Sequence, residues 1–514
     1  MRGGALGETL RRESGPAALM LAAGAALALA FPRVDWSGAA WVALAPVFIL
    51  ALTRNPRGAL AWSWLAGFVF FLLLLRWLNF TFSVYSVIPW PLTWAPTALL
   101  AGYCGLWTGL VGGVVSWLGR RLGRGWALLV LPFLWVAAEW ARGHLLGGFP
   151  WGTLGYSQYR QLVVIQIAEL AGVWGVSFVI AAANAALAGA VLLERWRGLG
   201  GLGLATLLVA ATLGFGTWRL AEPAPAGELE VVVMQPAIEQ PLKWNANHTA
   251  ATLAIYGELT RAAARQKPDL IVWPETASPT ILREDAELLG ALRDLAETWR
   301  VPLLVGTIDA TRGPAGPELY NTAFLVTERG IVNRYDKIHL VPFGEYVPLS
   351  GVIGFVRDWA EFISELTPGS RAVVFPGPPA PFGVVICYEG VFPALVRRFV
   401  RGGARLMVNM TNDAWFGRTS GPLQHLAMYP FRAVEHRTAV VRAANTGVSA
   451  FVAPTGDIVE AMGLFERGNL IGRVPLRVRE TLYTRFGDWL AWMALGMSGA
   501  ALGAAAWGGR GDSG

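Results

Sequence analysis

The chain has 514 residues, of which 54% are hydrophobic and 15% are charged, and its mean hydropathy is +0.45. Since soluble domains carry roughly 25% charged residues, this composition excludes an ordinary soluble protein and indicates a membrane protein. The formal net charge of +7 does not indicate nucleic-acid binding, because the arginines lie in short loops between apolar runs, as membrane topology signals do. Two cysteines exclude a disulfide framework, and no Cys/His cluster has metal-ligand spacing, so neither a metal nor another cofactor is predicted.

Long apolar runs separated by short loops occupy residues 1–220. A transmembrane helix needs about 20 mainly apolar residues. Eight runs approach this length, the last of them near the C-terminus: 15–32, 38–53, 58–79, 91–117, 125–141, 163–193, 199–218 and 486–507. We therefore predict an α-helical membrane bundle of about eight transmembrane helices, seven in 1–220 and the eighth in 486–514. The first run follows two arginines and is interpreted as a retained signal-anchor.

The loop arginines predict how the chain crosses the membrane. With a cytoplasmic N-terminus, ten arginines fall on the inner side and four in the outer short loops. The inner ten are Arg2, Arg11, Arg12, Arg54, Arg57, Arg120, Arg121, Arg124, Arg195 and Arg197. By the positive-inside rule, both termini are then cytoplasmic and the segment between helices seven and eight lies outside.

That intervening segment, 221–485, has a different character. Short β-rich runs such as "LEVVVMQ" and "FGVVICYE" alternate with helical stretches at 247–266 and 283–299. Strands alternating with amphipathic helices are typical of a layered α/β domain. The sequence therefore predicts an α/β domain attached at both ends to the outer face of a membrane.

Four reactive side chains lie close to predicted strand ends in this domain. Glu275 follows the run in "DLIVWPE", and Cys387 ends the run in "FGVVIC". Lys337 and Glu345 lie together in "DKIHLVPFGEYVP". In open α/β sheets, functional groups gather at the carboxyl ends of strands. A nucleophilic thiol needs a base, usually histidine, but none is adjacent to Cys387 in the sequence.

These motifs, in this order, resemble the nitrilase superfamily with its Glu-Lys-Cys triad. Together with the eight apolar runs, they are similar to the apolipoprotein N-acyltransferase family, the membrane-bound branch of that superfamily. Further stretches match the same family: "EWARGHLLGGFPWGTLGYSQ" (139–158), "KWN" (243–245) and "NMTNDAWFG" (409–417). The resemblance implies an αββα sandwich for the 221–485 domain.

The resemblance also implies roles for particular residues. Cys387 is expected to be the nucleophile and Glu275 the general base, while Lys337 stabilises the thiolate and the tetrahedral oxyanion. The main-chain N–H of Tyr388 is expected to assist Lys337, and Glu345 to hold it. Glu389 is expected to support the site beside Tyr388, either chemically or by shaping the pocket. Trp244 and Trp415 are expected to bind or gate substrate, and Arg142 is inferred to meet the phospholipid headgroup.

The implied reaction is a two-step acyl transfer from a phospholipid to the N-terminal amine of a diacylglyceryl apolipoprotein, by a monomer in the bacterial inner membrane. The catalytic domain is then periplasmic. Two alternatives stay open: a membrane-anchored nitrilase-type amidase, and a non-enzymatic membrane scaffold. A Cys-His hydrolase would require His339, His425 or His436 close to Cys387. The apolar-rich stretch 349–366 is interpreted as a lid or an interfacial element, with an ordinary packed helix as the alternative.

Overall fold

The computed structural model describes residues 2–223, 227–243, 246–313, 316–348, 365–377, 380–477 and 479–508. The chain forms two compact units. The helical unit comprises Met1–Asn79, Trp90–Ala221 and Asp488–Gly514. The sheet unit comprises Phe80–Pro89 and Glu222–Gly487.

In its described residues the helical unit consists mainly of α-helices, and 3-10 helices lie in the longer connections, at Ser37–Trp41, Leu145–Gly147 and Leu154–Gln158. The α-helices are α1 (Arg2–Leu29), α2 (Ala45–Thr53), α3 (Pro56–Leu74), the start of α4 (Leu78–Tyr85), α5 (Trp94–Arg121), α6 (Arg124–Arg142), α7 (Leu162–Ile165), α8 (Ala168–Ala171), α9 (Val173–Leu192), α10 (Arg195–Leu220) and the C-terminal α18 (Trp489–Gly508). Among the described residues, α3, α5, α9, α10 and α18 are long and apolar enough to cross a membrane. The count of about eight spans therefore stays a prediction.

The apolar run 163–193 does not form one helix. The chain breaks at Gly172, whose φ is +66°, so that the short α7 and α8 precede the 20-residue α9. Glycine accepts this left-handed conformation without the steric cost of a Cβ atom. Hydropathy alone could not show the break, because the residues on both sides are apolar.

Small residues bring α3 and α5 close together. A Cβ atom on Gly105 of α5 would lie 2.6 Å from the main-chain nitrogen of Phe68 on α3. A Cβ atom on Gly112, two turns further along, would overlap the side chain of Ser63. Close helix contact through glycine and serine is a common way for apolar helices to associate in membranes.

The sheet unit contains two six-stranded sheets. The first has the strand order β12-β1-β2-β3-β4-β5 and the second β11-β10-β9-β8-β7-β6. The strands are β1 (Glu228–Gln235), β2 (Leu270–Val272), β3 (Leu303–Gly313), β4 (Gly316–Thr327), β5 (Gly330–Asp336), β6 (Val374–Phe375), β7 (Phe382–Ile386), β8 (Leu406–Thr411), β9 (Val440–Ala444), β10 (Ala450–Val452), β11 (Ile458–Ala461) and β12 (Gly468–Pro475). The parallel strands β1–β2–β3 and β7–β8–β9 form the two sheet centres.

Helices cover the outer face of each sheet. The α-helices in the described residues of this unit are α11 (Gln240–Lys243), α12 (Thr249–Ala264), α13 (Ala286–Trp299), α14 (Pro393–Arg401), α15 (Gly421–Leu426), α16 (Tyr429–His436) and α17 (Leu482–Phe486). Helices α12 and α13 pack on the first sheet, and α14 and α16 pack on the second. The sheets meet through β1 with β9 and β4 with β7. The result is a layered α/β domain, and the central strands are buried on both faces, as parallel strands under helices are.

Residues Phe80–Pro89 belong to the sheet unit although they precede it by more than a hundred residues in sequence. The Thr81 hydroxyl donates to the main-chain oxygen of Trp415 at 2.8 Å, and the rings of Tyr85 and Trp415 meet edge to face at 5.0 Å. The sheet unit is therefore discontinuous along the chain.

Candidate active site

Cys387 lies at a sharp junction where β7 passes into the 3-10 turn Cys387–Val391. Its φ of +52° is in the left-handed region, which is uncommon for a residue with a side chain and often marks strain at functional sites. Two side chains hold the junction, because the Cys387 carbonyl accepts hydrogen bonds from Asn409 Nδ2 at 3.3 Å and from the Tyr429 hydroxyl at 3.2 Å. The side chain that the turn presents is thus fixed in direction.

Glu275 lies in the turn that follows β2 and is buried. Asn321 Nδ2 donates to one carboxylate oxygen at 2.7 Å, and the main-chain N–H of Asn412 donates to the other at 2.7 Å. Since each oxygen has its own donor, the rotation of the carboxylate is fixed.

Lys337, directly after β5, lies between two carboxylates. Its Nζ is 2.8 Å from Glu345 Oε1 and 3.4 Å from Glu275 Oε1. Asn321 Nδ2 also reaches Glu345 Oε1 at 3.1 Å, and Val341 N–H donates to Glu345 Oε2 at 2.8 Å. One ammonium and one amide therefore hold both carboxylates in place.

The electrostatics of the cluster favour a neutral thiol beside a charged lysine. Burial raises the pKa of Cys387, and the Glu275 charge raises it further, whereas Lys337 lowers it. Burial lowers the pKa of Lys337, but the Glu345 and Glu275 carboxylates outweigh it and raise the pKa overall. The resting site thus holds a protonated thiol, which needs a base at the moment of attack.

Glu389 connects the two sides of the site. Its carboxylate accepts hydrogen bonds from Ile338 N–H at 2.6 Å, His339 N–H at 3.0 Å, Ile386 N–H at 2.8 Å and the Tyr335 hydroxyl at 2.8 Å. Burial raises the pKa of Glu389 to about 7, while these donors favour the carboxylate. Glu389 therefore acts on the main chain beside Lys337 and beside Cys387.

A buried charge network lies behind the Cys387 turn. Arg442 Nη2 is 2.6 Å from Asp413 Oδ2, and Asp413 Oδ1 is 3.0 Å from His425 Nδ1. Burial opposes the Asp413 charge, but Arg442 and His425 outweigh it and lower the pKa of Asp413 to about 2. His425 Nε2 lies 3.3 Å from the Tyr429 hydroxyl, which links the network to the Cys387 carbonyl.

The histidines that sequence left open as alternative bases have other partners. His339 packs its ring on Phe392 at 3.9 Å, His425 bonds to Asp413, and His436 Nδ1 lies 2.8 Å from Thr484 Oγ1. Burial lowers the pKa of His425 and of His436. The groups whose charges shift the pKa of the Cys387 thiol include Glu275, Lys337 and Asp413.

The other predicted site residues are placed as follows. Tyr388 is buried beside Phe392, with the two rings edge to face at 5.0 Å. Trp415 is half-buried against Tyr85. Arg142, in the helical unit, is buried and donates to the main-chain oxygens of Phe149 and Trp151. Trp244 lies outside the described residues, as does nearly all of the stretch 349–366.

Three residues of the site were not found from the sequence. Asn321 bridges Glu275 and Glu345, and Asn412 supplies its main-chain N–H to Glu275. Lys243 donates to the Glu275 carbonyl at 2.9 Å. Only weak indications of these residues are present in the sequence. Lys243 and Asn412 lie inside the stretches "KWN" and "NMTNDAWFG", which match the family, but no role was predicted for either residue. Asn321 lies in a strand without a recognisable motif.

Comparison with known proteins agrees with this geometry. Residues 231–483 match the family model of carbon-nitrogen hydrolases, so the sheet unit is a nitrilase-type domain. Residues 23–186 match the model of the apolipoprotein N-acyltransferase N-terminal domain. The apolipoprotein N-acyltransferase of Geobacter metallireducens is 38% identical over 94% of this chain and 93% of its own length. That of Gloeobacter violaceus is 34% identical over 91% and 89%.

The chain therefore belongs to the apolipoprotein N-acyltransferase family, and the family predicted from its motifs is confirmed.

Among solved structures, it is similar to Saccharomyces cerevisiae Nit3, described as a member of branch 10 of the nitrilase superfamily. That match has 22% identity and a TM-score of 0.38, and it covers 50% of this chain and 93% of Nit3.

Proposed function

We propose that this chain moves the sn-1 acyl chain of a phospholipid to the N-terminal amine of an S-diacylglyceryl-cysteine apolipoprotein through a thioester on Cys387. The observation that carries the proposal is the position of Lys337 Nζ, 2.8 Å from Glu345 and 3.4 Å from Glu275, in a buried cluster whose charges act on Cys387. The names of the relatives supply the substrate class.

In the first half-reaction, Glu275 accepts the thiol proton as Cys387 Sγ attacks the ester carbonyl carbon. An S–C bond forms, and the oxyanion is stabilised by Lys337 and the main-chain N–H of Tyr388. The C–O bond to glycerol then breaks, and Glu275 returns its proton to the departing oxygen. A lysophospholipid leaves, and the acyl chain stays on Cys387 as a thioester.

In the second half-reaction, the apolipoprotein amine attacks the thioester carbonyl. Glu275 accepts a proton from the attacking nitrogen, the C–S bond breaks, and the proton passes to the Cys387 thiolate. The products are an amide and the free thiol, so the kinetics are ping-pong. Water must be kept from the thioester, and the burial of Cys387 and Glu275 serves that need.

The membrane setting is part of the proposal. Eight spans with both termini in the cytoplasm put residues 221–485 on the periplasmic side of a bacterial inner membrane, and the enzyme works as a monomer. The five long apolar helices support membrane embedding, and the arginine distribution supports the orientation. Trp244 and Trp415 are proposed to contact substrate, and Arg142 to meet the phospholipid headgroup.

The test uses purified full-length protein and a phospholipid labelled on its sn-1 acyl chain. Wild type is expected to form a hydroxylamine-labile adduct and to pass the label to a diacylglyceryl-cysteine peptide. Cys387→Ser is expected to trap little or no acyl chain, because a serine hydroxyl is a weaker nucleophile without a strong base. Cys104→Ala, which changes the other cysteine, is the matched control and is expected to label as wild type does.

The outcomes separate the competing functions. Free fatty acid as the sole product of wild type would favour a membrane-anchored amidase over a transferase. If folded wild-type protein forms no adduct, both enzymatic functions are contradicted and the non-enzymatic scaffold is favoured. Turnover of Cys387→Ser at the wild-type rate would overturn the assignment of the nucleophile.

A further inference from the structure

A second buried lysine contacts the loop that carries Glu275. Lys243 is the last residue of α11 and is 4% exposed. Its Nζ donates to the main-chain oxygen of Glu275 at 2.9 Å and to Thr276 Oγ1 at 2.6 Å. Because both acceptors belong to one turn, Lys243 restrains the main chain from which the Glu275 carboxylate extends.

That turn is strained and tightly enclosed. Thr276 has a φ of +45°, a left-handed conformation that is a genuine outlier for a β-branched residue. On another side the turn lies against Gly306 of β3, where a Cβ atom would be 2.9 Å from Thr276 N. The Ala277 N–H also donates to the Gly306 oxygen at 2.7 Å. Strain of this kind persists only where surrounding contacts hold it, and Lys243 supplies two of them.

α11 contacts the site through a second side chain as well. Gln240, one helical turn before Lys243, accepts a hydrogen bond from Asn412 Nδ2 at 2.7 Å. Asn412 N–H is the donor to Glu275 Oε2. Both buried polar residues of this short helix therefore act on the Glu275 carboxylate. Lys243 holds the main chain of Glu275, and Gln240 holds Asn412, which donates to the carboxylate.

The choice of lysine at position 243 is unusual for this arginine-rich chain. Of 42 basic residues only three are lysines, and two of them, Lys243 and Lys337, are buried at this site, whereas Lys267 is exposed. A lysine ammonium is a compact point donor, while a guanidinium is a wide planar fork. In the described part of the chain, both hydrogen bonds of Lys243 Nζ end on neutral oxygens. A buried cation without a hydrogen-bonded carboxylate is costly, so its presence indicates a function.

We propose that Lys243 is a positioning residue for Glu275, which holds the 275–276 turn so that the carboxylate faces the Cys387 thiol. This inference rests on the proposed function, because it takes Glu275 as the base. Burial lowers the pKa of Lys243 to about 7, and the charges of the Glu275 carboxylate and of a Cys387 thiolate oppose that shift. Lys243 acts through the turn and does not itself touch the reacting atoms.

The test is the single-turnover release of lysophospholipid with enzyme in excess over the labelled lipid. Lys243→Met is expected to slow release by about tenfold to a hundredfold, since displacing a catalytic group by about 1 Å costs on that order. The lipid concentration for half-maximal rate should change by less than about threefold, because lipid binding is untouched. The exposed Lys267→Met is the matched control and should release lysophospholipid at the wild-type rate.

A rescue experiment separates positioning from packing. Lys243→Ala leaves space for a small amine, so added n-propylammonium is expected to raise the release rate by about fivefold or more, on the order of one restored charge-assisted hydrogen bond. Equal concentrations of n-propanol should give no rescue. Equal rescue by both compounds, or a Lys243→Met enzyme as fast as wild type, would overturn the proposal.

Thr276→Val gives an independent variant if Lys243 substitutions impair folding. It keeps the β-branched shape and removes only the hydroxyl acceptor, so a decrease of about threefold to tenfold in the release rate is expected. An unchanged rate in Thr276→Val would contradict the proposal. If wild type itself forms no acyl adduct, the proposed function fails and the role of Lys243 fails with it; if wild type labels normally, only Lys243 is in question.

Discussion

The Glu389 carboxylate accepts a 2.6 Å hydrogen bond from the main-chain N–H of Ile338, the residue directly after Lys337. Its second oxygen accepts from the N–H of Ile386, the residue directly before Cys387. A single side chain therefore fixes the distance between the lysine on one sheet and the cysteine on the other. Within the described ranges, the groups that hydrogen-bond to the Glu389 side chain are three main-chain N–H groups and one hydroxyl, and all of them donate. The Glu389 side chain must therefore act as an acceptor through both of its oxygens.

Glu389→Gln is expected to slow acyl-enzyme formation by at least about a hundredfold, since its amide would turn N–H groups toward main-chain N–H donors. Tyr335→Phe is the matched control, because it removes one of the donors to Glu389 and keeps the carboxylate. It should cost about 1 kcal/mol or less in stability and less than about tenfold in rate. The measurement is the rate of thioester labelling from the sn-1-labelled phospholipid. Equal effects of the two variants would contradict a special role for the carboxylate.

Asn321→Leu is expected to slow the same labelling reaction by about tenfold to a hundredfold. The amide of Asn321 is shared by Glu275 and Glu345, and without it the Glu275 carboxylate can rotate away from the thiol. Asn333→Leu is the matched control, because Asn333 is a half-buried residue of β5 whose side chain, in the described structure, bonds only to the adjacent Arg334 N–H. It should label normally, and a normal rate in Asn321→Leu would argue that Lys337 and the Asn412 N–H hold the carboxylate without Asn321.

The Asp413–Arg442 pair is expected to make the sheet unit sensitive to acid. The folded pKa of Asp413 is about 2 against an ordinary 3.8, so its stabilisation is complete above about pH 4 and is lost as the pH falls through 2. That shift corresponds to about 2 kcal/mol. The melting temperature of the detergent-solubilised chain should therefore fall between pH 4 and pH 2.

Asp413→Asn should lower the free energy of unfolding at neutral pH by about 3–5 kcal/mol, because it leaves Arg442 buried without a counter-ion. Its melting temperature should be correspondingly lower than that of wild type. The variant should also lack part of the acid dependence. Asp294→Asn, at an exposed position on α13, is the control and should follow wild type at every pH. Identical acid profiles for wild type and Asp413→Asn would refute the linkage.

Gly417→Ala is expected to destabilise the loop that carries Trp415. Gly417 has a φ of +57°, and a Cβ atom there would overlap the ring of Phe80. The left-handed strain costs about 1–2 kcal/mol, and the overlap adds about 1–3 kcal/mol. In a Phe80→Ala background only the first cost should remain, so the two substitutions should be non-additive in melting temperature. Strict additivity would show that Phe80 does not lie against Gly417.

The sequence allowed the central strands, Glu275 and Cys387 to be placed, because they lie in or directly after short apolar runs bounded by turn residues. Lys337 and Glu345 were found through the stretch "DKIHLVPFGEYVP". The prediction of a layered α/β domain was correct, and "FGVVI" is indeed a buried strand with a parallel neighbour. The run 163–193 was wrongly taken as one helix, since hydropathy does not detect a left-handed glycine such as Gly172.

The supporting residues of the site could not be predicted for a different reason. Asn321 is an ordinary polar residue in a strand, and its importance arises only when the fold brings Glu275, 46 positions away in sequence, within 2.7 Å. Lys243 lies in a helix of four residues, too short to have a recognisable period. Spatial proximity created by long-range pairing leaves no local pattern in a single sequence.

The place of Phe80–Pro89 within the sheet unit has a consequence for biogenesis. The ribosome makes this piece before any other part of that unit, and at about 5–20 residues per second the remaining strands follow only after the chain from Trp90 to Ala221 has been made. An early segment must therefore wait, unpaired with Trp415 and Gly417, until late synthesis provides its docking surface. A gene fragment encoding Glu222–Gly487 alone would lack that segment, so the enzyme cannot be divided into a soluble cassette and an anchor without removing part of the fold.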